Sequence, residues 1–520
     1  MSMSPFPIRC FRAACLALAF IFSGCATTLP TDKPPPGFAQ PPREEGRLAK
    51  VEQRIANQHG ADVSAFKLLE RNADGLTWRV ALIENAAHTI DLQYYVWFGD
   101  ISGQLLLSRV IAAADRGVKV RVLFDDLSTM LRRMTNPELR DDMLARVDQH
   151  PNIEIRVFNG WHARDWAGRV FEGAVEFERL NRRMHNKQMI VDNRVAIIGG
   201  RNIGDEYMGL DTEFNFHDLD VVGIGPVARQ ASGVFDRYWN SDWVRRIPPY
   251  SGPLRGTLSP EMIELPPEAA AHPAMKAFLS DSSGRAREVE RLPDVVSIGK
   301  SVVHTDSPSR AAKSRNRMPE AFRSLMLSAR SEVLITNAYI IPDDVFINDL
   351  RELAARGVKV RILTNSLASH DVPAVNSHYE RWRKPILEAG ADLHELRADA
   401  AIQTEVVDTP PVRSGFVGLH TKAMVIDRER SFIGSMNLDP RSEIYNSEMG
   451  VIIDSPQLAS DLAQRMKRDM GVTNSWQVRH DADGRLRWTS SAGERTSQPA
   501  RSFWQRVQNL VFKLAPASYY

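Results

Sequence analysis

One short pattern, His-x-Lys followed five residues later by Asp, occurs twice in this chain. Its members are His185, Lys187 and Asp192 in the first copy and His420, Lys422 and Asp427 in the second. Each copy is followed at the same spacing by a glycine-led segment that ends in Asn, Gly-Gly-Arg-Asn at 199–202 and Gly-Ser-Met-Asn at 434–437. Two copies that keep every spacing indicate a duplicated structural unit.

These residue types suit chemistry on a phosphate group. Both motifs lie in apolar runs typical of strands, so the His and the Lys of each copy point to one face. Two such faces supply two imidazoles, which suit a nucleophile and a general acid. The two lysines, with Asn202, Asn437 and Ser435, suit the oxygens of a phosphoryl group. No metal is needed in this scheme, because the lysines supply the positive charge.

The motifs resemble those of the phospholipase D superfamily, whose members pair two such motifs at the interface of a duplicated domain. The segments FNFHDLDVVGIGP, LNRRMHNK and LTNSLASHDVPAVNSHYERWRK are similar to the bacterial cardiolipin synthase C type of that superfamily. Gly200 stands where the second copy has Ser435, so one hydroxyl is missing from the first copy. The resemblance implies a phosphohistidine intermediate, with His185 as nucleophile and His420 as acid/base, although the near-symmetry of the motifs leaves both assignments open.

Four carboxylates accompany the motifs and have two different expected roles. Asp192 and Asp427 lie five residues after the lysines, which places them on the opposite face and at the strand end. We interpret them as structural residues of a turn or ion pair. Aligning DLDVVGIGP with EMGVIIDSP pairs Asp218 with Glu448, and the resemblance implies that these two orient the histidines. Such a carboxylate fixes the tautomer and stabilises the imidazolium.

The repeat extends beyond the motifs and indicates the fold class. AADRGVKVRVLFDD at 113–126 matches LAARGVKVRILTNS at 353–366, and each reads as a helix, a glycine stop and a strand. The alternation predicts an α/β protein. We expect a duplicated phospholipase D-like domain with two mixed sheets, flanked by helices, and the active site at their interface.

Composition, the repeat and the resemblance together divide the chain into six expected regions. They are a lipoprotein-type signal at 1–25, a Pro-rich tether at 26–50, a first phospholipase D-like domain at 51–245, a connector at 246–312, a second such domain at 313–475 and a tail at 476–520. Within the tail, the apolar positions of 503–514 fall at helical spacing. That helix packs on the core or lies on a membrane surface, and the sequence leaves both open.

The start of the chain predicts an exported, membrane-anchored protein. Basic residues precede a short apolar stretch that ends in Ser-Gly-Cys, with Cys25 as the expected lipidation site. The three cysteines all lie in this segment, so no disulfide framework is expected elsewhere. We expect the cell envelope of a Gram-negative-type bacterium, with inner and outer membrane both open.

The hypothesis that accounts for all of these features is that the chain is a phosphatidyltransferase that makes cardiolipin. Its expected partners are membrane phospholipids (phosphatidylglycerol, phosphatidylethanolamine or both) and the membrane surface; the sequence identifies no cofactor and no accessory protein. The alternatives are a hydrolytic phospholipase D or a nuclease with the same histidines, and a non-catalytic membrane scaffold. A net charge of +2 argues against a nucleic-acid partner.

Three arginines and an apolar loop before the first motif have two readings each. Arg179, Arg182 and Arg183 belong to a solvated turn or bind a phosphate or headgroup. The loop from Trp161 to Phe171 forms a rim for lipid entry or packs in the core.

Overall fold

The computed structural model describes residues 29–126, 143–163, 166–247, 267–280, 282–309 and 317–514. The strands of the first half are β1 (Ser64–Leu69), β2 (Thr89–Tyr94), β3 (Lys119–Asp125), β4 (Ile153–Phe158), β5 (Gln188–Val191), β6 (Val195–Gly199), β7 (Phe214–His217), β8 (Asp220–Ile224) and β9 (Val244–Arg246). Those that follow are β10 (Ser297–Thr305), β11 (Glu332–Asn337), β12 (Lys359–Asn365), β13 (Asp392–Leu396), β14 (Phe416–Leu419), β15 (Lys422–Ile426), β16 (Arg430–Gly434), β17 (Met449–Asp454), β18 (Ser475–His480), β19 (Leu486–Ser490) and β20 (Gly493–Arg495).

The two halves repeat one strand order. The first sheet runs β9-β4-β3-β2-β5-β6-β8-β1, and the second runs β18-β13-β12-β11-β15-β16-β17-β10. In each, the three strands β2-β3-β4 or β11-β12-β13 are parallel and the other pairings are antiparallel. The predicted duplicated α/β fold is confirmed. The sheets are also hydrogen-bonded edge to edge, because β1 pairs with β10 at Ser64↔Gly299, Ala65↔Ile298 and Phe66↔Ser297.

Helices cover these sheets. They are α1 (Arg47–His59), α2 (Asn72–Glu84), α3 (Ile101–Asp115), α4 (Trp166–Val175), α5 (Phe177–Asn181), α6 (Asp205–Met208), α7 (Pro226–Trp239), α8 (Pro267–Ala271), α9 (Pro273–Ser280), α10 (Ser282–Arg291), α11 (Met318–Leu327), α12 (Asp344–Ala355), α13 (Pro373–Tyr379), α14 (Arg383–Glu388), α15 (Pro440–Ile444), α16 (Pro456–Asp469) and α17 (Phe503–Phe512). None of the helices in the described ranges is long and apolar enough to cross a membrane.

The repeated helices begin and end on equivalent residues. Asp100 caps α3 by accepting from Gly103 N at 3.0 Å, and Asp343 caps α12 by accepting from Phe346 N at 2.8 Å. Beyond their ends, Gly117 and Gly357 adopt φ of 95° and 77°, a region that glycine enters without strain. The sequence repeat at these positions therefore predicts the same helix-to-strand turn twice.

The apolar core follows the duplication. One cluster of buried side chains lies in the first half and another in the second. A further cluster combines both halves, with Ile190 and Ile198 from the first sheet, Val425 and Val451 from the second, and residues of α7 and α16. This shared core holds the two motif-bearing hairpins in fixed relation, because buried side chains pack at near-crystalline density.

The Pro-rich segment predicted as a tether lies against the first half from residue 29 onward. Leu29 is buried, Gly37 N donates to Asn240 Oδ1 at 2.9 Å, and Ala39 N donates to Asp236 Oδ2 at 2.9 Å. The carbonyl of Pro35 accepts from Arg156 at 2.7 Å. An extended Pro-rich chain keeps its carbonyls available, so side chains of the folded domain can bind it along its length.

Two other predicted regions contain parts of the sheets. The range 246–312 holds strand β10, which pairs with both halves. The tail 476–520 holds most of β18, which pairs with β13, as well as β19, β20 and the predicted helix α17.

Candidate active site

The motif histidine and lysine of each half lie at the start of a buried hairpin. Lys187 directly precedes β5 and Lys422 begins β15, and both side chains are only 1% exposed. Lys187 Nζ donates to the carbonyl of His185 at 2.7 Å, and Lys422 Nζ donates to that of His420. In each motif the lysine ammonium group is thus bonded to the backbone of the histidine two residues earlier, which keeps the two residues together.

Each histidine is held by a carboxylate from the other half. His185 Nδ1 lies 2.8 Å from Glu448 Oε2, and His420 Nδ1 lies 2.6 Å from Asp218 Oδ2. Both carboxylates are fully buried. The structure thus places Asp218 and Glu448 against the Nδ1 atoms of the two histidines, and the exchange between halves brings both motifs into one site.

Backbone pairing between the halves explains this exchange. In one half of the site, β7 pairs in parallel with β14, and His420 N donates to the carbonyl of His217 at 2.8 Å. In the other, His185 N donates to the carbonyl of Ser447 at 2.8 Å, and Ser447 N donates to the carbonyl of Arg183 at 2.8 Å. Since Asp218 follows His217 and Glu448 follows Ser447, each carboxylate arrives beside the histidine of the opposite half.

Burial lowers the pKa of both lysines and both histidines. The pKa of Lys187 falls to about 7 and that of Lys422 to about 8, mainly because burial disfavours the charged ammonium. Burial and the nearby lysines bring the pKa of His420 to about 4 and that of His185 well below its ordinary value. An anionic phosphate bound beside these groups would stabilise the ammonium form and raise the pKa of the lysines.

The two carboxylates differ in their charge state. Burial raises the pKa of Glu448 to about 7, and the neighbouring Lys187 opposes this only in part. Burial also acts on Asp218, but there the facing His420 and Lys422 outweigh it and hold the pKa below its ordinary value. At neutral pH Asp218 is ionised, whereas Glu448 is close to half protonated.

The residues predicted to bind phosphate have unequal contacts. Ser435 Oγ donates to Glu448 Oε2 at 2.5 Å, so its hydroxyl is engaged with the carboxylate. Asn202 accepts from Val96 N at 3.3 Å and donates to the Tyr207 hydroxyl at 2.9 Å. Asn437 is 6% exposed, and its Oδ1 has no hydrogen-bond partner within the described part of the chain. Of the three, Asn437 is the one with an uncommitted polar atom at the site.

Asp192 and Asp427 close the hairpin against the preceding strand. Asp192 Oδ1 accepts from His88 N at 2.7 Å and Thr89 N at 2.9 Å, at the start of β2. Asp427 Oδ1 accepts from Ser331 N at 2.8 Å and Glu332 N at 2.9 Å, at the start of β11. Both aspartates have positive φ, 54° and 52°, as turn residues do. These contacts fit the expected structural role in a turn.

Aromatic side chains surround the motifs. The ring of Tyr95 lies 4.9 Å from that of His185 and 5.3 Å from Lys187 Nζ. Tyr207 lies 5.1 Å from His420, and Tyr339 lies 5.9 Å from Lys422 Nζ. They restrict water around the imidazoles and face the ammonium groups with their π electrons. Tyr95 and Tyr339 lie just after the repeated strands β2 and β11.

Sequence reasoning missed a pair of residues at the ends of equivalent strands. Asp125, ending β3, accepts from Met184 N at 2.9 Å, and Asn365, ending β12, accepts from Leu419 N at 2.9 Å. Each thus holds the residue immediately before a motif histidine. The signal was present in the matched segments at 113–126 and 353–366, where Asp125 aligns with Asn365.

The arginines before the first motif are engaged with the protein's own carboxylates. Arg183 is buried with Asp125 at 3.2 Å, Arg179 pairs with Glu172 and Glu176, and Arg182 lies 3.7 Å from Glu178. Arg183 is therefore buried beside the site and is not part of a solvated turn. In the apolar loop, Trp161 is buried while Phe171 is 71% exposed. Trp161 packs in the core, and Phe171 remains a rim residue.

Two groups of side chains in the described ranges have metal-ligand spacing, Glu70-His217-Asp469 and His162-Glu172-Glu176. Glu70 pairs with Arg465 and Arg468, and both carboxylates of the second group pair with Arg179. Guanidinium groups already neutralise these carboxylates, so the arrangement suits ion pairing. The expected lipidation site, Cys25, lies outside the described residues.

Comparison with known proteins places this fold and site in a family. A family model described as "Cardiolipin synthase, PLD-like domain" matches residues 80–239 and 322–470. The chain therefore belongs to the cardiolipin synthases with a phospholipase D-like domain. This confirms the predicted resemblance, and the family relation supports a phosphatidyltransferase that acts on phospholipids.

Individual relatives cover most of the chain. Cardiolipin synthase C of Escherichia coli strain K12 is 36% identical over 484 residues, which is 91% of this chain and 99% of that protein. An uncharacterized protein of Helicobacter pylori strain J99 is 31% identical over 459 residues, 86% of this chain and 87% of its own. Phosphatidylserine synthase of Haemophilus influenzae Rd KW20, a solved structure, matches with a TM-score of 0.55 at 15% identity and covers 90% of this chain and 97% of its own. That last likeness shows a shared fold.

Proposed function

We propose that this protein makes cardiolipin by moving a phosphatidyl group from one phospholipid to the hydroxyl of phosphatidylglycerol. The observation that carries the proposal is the pair of buried His-Lys units, each histidine held by a carboxylate of the opposite half. One phosphorus between two such units has a nucleophile on one side and an acid on the other, as in-line displacement requires.

The first step forms a phosphohistidine. With Nδ1 held by Glu448, the Nε2 lone pair of His185 attacks phosphorus and an N–P bond forms. The P–O bond to the leaving alcohol breaks, and that oxygen takes a proton from His420, whose imidazolium is stabilised by the ionised Asp218 and by the phosphate anion of the bound substrate. The leaving group is glycerol when phosphatidylglycerol is the donor, and ethanolamine when phosphatidylethanolamine is. Lys187 and Lys422 stabilise the charge on the phosphoryl oxygens.

The second step returns the enzyme to its starting state. The hydroxyl of an acceptor phosphatidylglycerol gives its proton to His420 and forms a new P–O bond. The N–P bond breaks, its electron pair returns to His185, and cardiolipin leaves. Asp218 supports His420 in both steps, because an ionised carboxylate on Nδ1 stabilises the imidazolium.

Burial of the site favours transfer over hydrolysis. His185 and His420 are 7% and 5% exposed, and aromatic rings lie against both. Water and the lipid hydroxyl compete for one phosphohistidine, so a site that excludes water and holds the acceptor gives transfer. The exposed Phe171 and Val170 on α4 fit a rim that lipids pass.

The test is lipid analysis after expression in a bacterial strain that lacks cardiolipin, with His185→Ala protein as the control. We expect cardiolipin with the wild-type chain and none with the variant. Purified protein with phosphatidylglycerol vesicles should give cardiolipin and glycerol in the presence of EDTA. Phosphatidic acid as the main product would instead establish the hydrolase alternative, and nucleic-acid cleavage without lipid turnover the nuclease.

The proposal includes anchoring at the cell envelope through acylated Cys25. The family's action on phospholipids and the Ser-Gly-Cys sequence support it. Cys25→Ser should abolish labelling by a radioactive fatty acid in growing cells. Labelling that persists in this variant would contradict the anchor.

A further inference from the structure

The last helix, α17, is attached to the protein by its polar side. Gln505 and Asn509 are buried. Gln505 Nε2 donates to the carbonyl of Leu367 at 2.5 Å, and Asn509 Oδ1 accepts from Asn376 Nδ2 at 2.7 Å. Asn509 also donates to Glu380 Oε2 at 3.1 Å. Hydrogen bonds to the body of the second half, and not an apolar seam, hold this helix in place.

The apolar side of the same helix faces outward. Large side chains at its surface are more than half exposed: Phe503 74%, Trp504 71%, Leu510 63%, Val511 58% and, just after the helix, Leu514 89%. At 3.6 residues per turn these positions share one face, opposite Gln505 and Asn509. A helix on the surface of a soluble domain has the reverse arrangement, with its apolar stripe toward the core. This outward stripe is a surface that needs a partner.

The charge of the segment indicates what that partner is. Residues 501–520 contain Arg501, Arg506 and Lys513 and no acidic residue. Lys513 is paired with Glu380, and Arg506 is exposed beside the apolar stripe. Arg506 beside the apolar stripe, the outer Trp504 and the absence of acidic residues from 501–520 suit a helix that lies in the interface of an anionic bilayer.

The helix also lies close to the catalytic residues. It packs on α13, and Arg501, just before α17, donates to the carbonyl of Ala368. His370, two residues further, stacks on Tyr339 at 5.2 Å, and Tyr339 meets His420 edge-on at 6.4 Å. A short, continuous series of contacts therefore connects α17, and any lipid surface bound to it, with the second motif.

We propose that the outward face of α17 docks on the surface of an anionic phospholipid bilayer. The stripe from Phe503 to Leu514 enters the boundary between headgroups and acyl chains, and Arg506 faces the phosphates. Docking makes no use of the motif histidines, so it stands apart from the proposed reaction. A second copy of the chain, or another protein, is the competing occupant.

The test uses the full chain with a fluorescent thiol label at one helix position. Cys10, Cys15 and Cys25 are replaced by Ser, and the label is placed at Leu510→Cys on the outward stripe or at Gln508→Cys, a matched exposed control at its edge. Vesicles contain phosphatidylglycerol and phosphatidylcholine, with a nitroxide on the acyl chain. We expect quenching at 510 to exceed that at 508 about twofold or more, because an interfacial helix buries its apolar face ~5–10 Å deep.

Two outcomes would overturn the docking proposal. One is equal quenching at both positions, or a label at 510 that remains open to aqueous iodide with vesicles present. The other is shielding of 510 without vesicles, together with a protein-concentration-dependent dimer, which would assign the face to a second copy. The same measurement on the His420→Ala chain should give the same contrast, so loss of turnover and loss of docking are read separately.

Discussion

Each half of the molecule places a carboxylate beside the histidine of the other half, but the two halves use different residues to do so. On one side, His420 is held by Asp218, with Gly200 beneath the carboxylate. On the other, His185 is held by Glu448, to which Ser435 donates. A side chain added at Gly200 would place its Cβ 2.2 Å from Asp218 Oδ1, whereas the equivalent Ser435 fits beside Glu448. The first copy has no hydroxyl at position 200 because the carboxylate of Asp218 occupies the space that a side chain there would need.

The backbone that delivers each carboxylate also differs. Strand β7 pairs with β14 over four residues, with Phe214 and Phe416 stacked at 5.1 Å, and His217 lies 2.8 Å from Asp469 across the halves. On the other side a single bridge joins Met184 and Ser447. The two histidines of a duplicated site can therefore differ in role, one as nucleophile and one as acid/base, although both motifs are intact. The ionised Asp218 suits an acid/base at His420, because it stabilises the imidazolium. Glu448 is less strongly ionised, and in its ionised form it accepts from Nδ1 of His185 and leaves the Nε2 lone pair available for attack.

The largest effect is expected from removing either histidine. His185→Ala and His420→Ala should each lower kcat about 10⁴-fold or more, because each removes one of two coupled proton or phosphoryl transfers. The double variant should be little worse than either single variant, since residues that act as a unit are not additive. Steady-state rates of cardiolipin formation check this. Independent, multiplied losses would mean that the two motifs do not share one site.

The carboxylates should separate the two halves. Asp218→Asn should lower kcat about 10²–10⁴-fold, because the substitution removes the charged carboxylate that holds the imidazole of His420. Glu448→Gln should cost about tenfold, because an amide resembles the half-protonated acid. Turnover of both variants in the same assay checks the order. An equal loss, or a larger one for Glu448→Gln, would remove the proposed difference between the halves.

These substitutions should also affect stability with opposite sign. The pKa of Glu448 is raised to about 7, so the folded state gains a proton there and loses stability as pH rises from about 4.5 through 7. Glu448→Gln should therefore raise the free energy of unfolding at pH 8 by about 1–3 kcal/mol, with little change at pH 4. The pKa of Asp218 is lowered, so its contribution is present above the unfolded-state value and Asp218→Asn should destabilise at pH 8. Thermal melts at the two pH values check both.

Making the halves alike should damage the site unequally. Gly200→Ser must displace Asp218, since its Cβ would meet the carboxylate, and should lower kcat about tenfold or more through the misplaced His420. Ser435→Ala removes one donor to Glu448 and should cost about 1 kcal/mol or less in transition-state stabilisation. Rates of the two variants, with folding checked by circular dichroism, decide this. A harmless Gly200→Ser would show that Asp218 has more freedom than its contacts indicate.

The smallest effect on chemistry is expected at the hairpin turns. Asp192→Asn weakens charge-assisted bonds to the backbone at the start of β2 and should lower stability by about 1–2 kcal/mol, with kcat within about threefold of wild type. Asp427→Asn should do less, because Asp427 is the more exposed of the two. Melting temperatures and rates measured on the same samples separate the effects. A large loss of kcat without a loss of stability would assign Asp192 to the chemistry.

The sequence was sufficient for the parts of this site that are local. The matched segments predict the repeated helix, turn and strand, and the position of Asp192 predicts a turn. These depend on strand alternation and glycine stops, which act over a few residues. The expected strand placement of His185 and Lys187 differs from the structure, because β5 begins only at Gln188.

The parts of the site that depend on contacts between residues distant in the sequence could not be predicted from it. The alignment pairs Asp218 with Glu448 but does not say which histidine each one faces, because β7 and β14 decide that across some 200 residues. The sequence does not show that the hydroxyl of Ser435, an expected phosphate ligand, donates to Glu448. It also leaves two interpretations of Arg183, a solvated turn or a phosphate-binding residue, whereas the structure buries Arg183 beside Asp125. The reversed attachment of α17 was equally hidden, since apolar spacing alone does not say which face is inward.

The central claim is that His185 is the nucleophile and His420 the acid, and a substrate that needs no acid tests it most directly. In a phosphatidyl ester of p-nitrophenol the leaving group departs without a proton. We predict that His420→Ala still releases a burst of p-nitrophenol and carries a phosphatidyl group on His185, visible by mass spectrometry after rapid denaturation. His185→Ala should give neither. A burst from His185→Ala with the adduct on His420 would reverse the assignment, and a burst from neither variant would contradict the phosphohistidine mechanism.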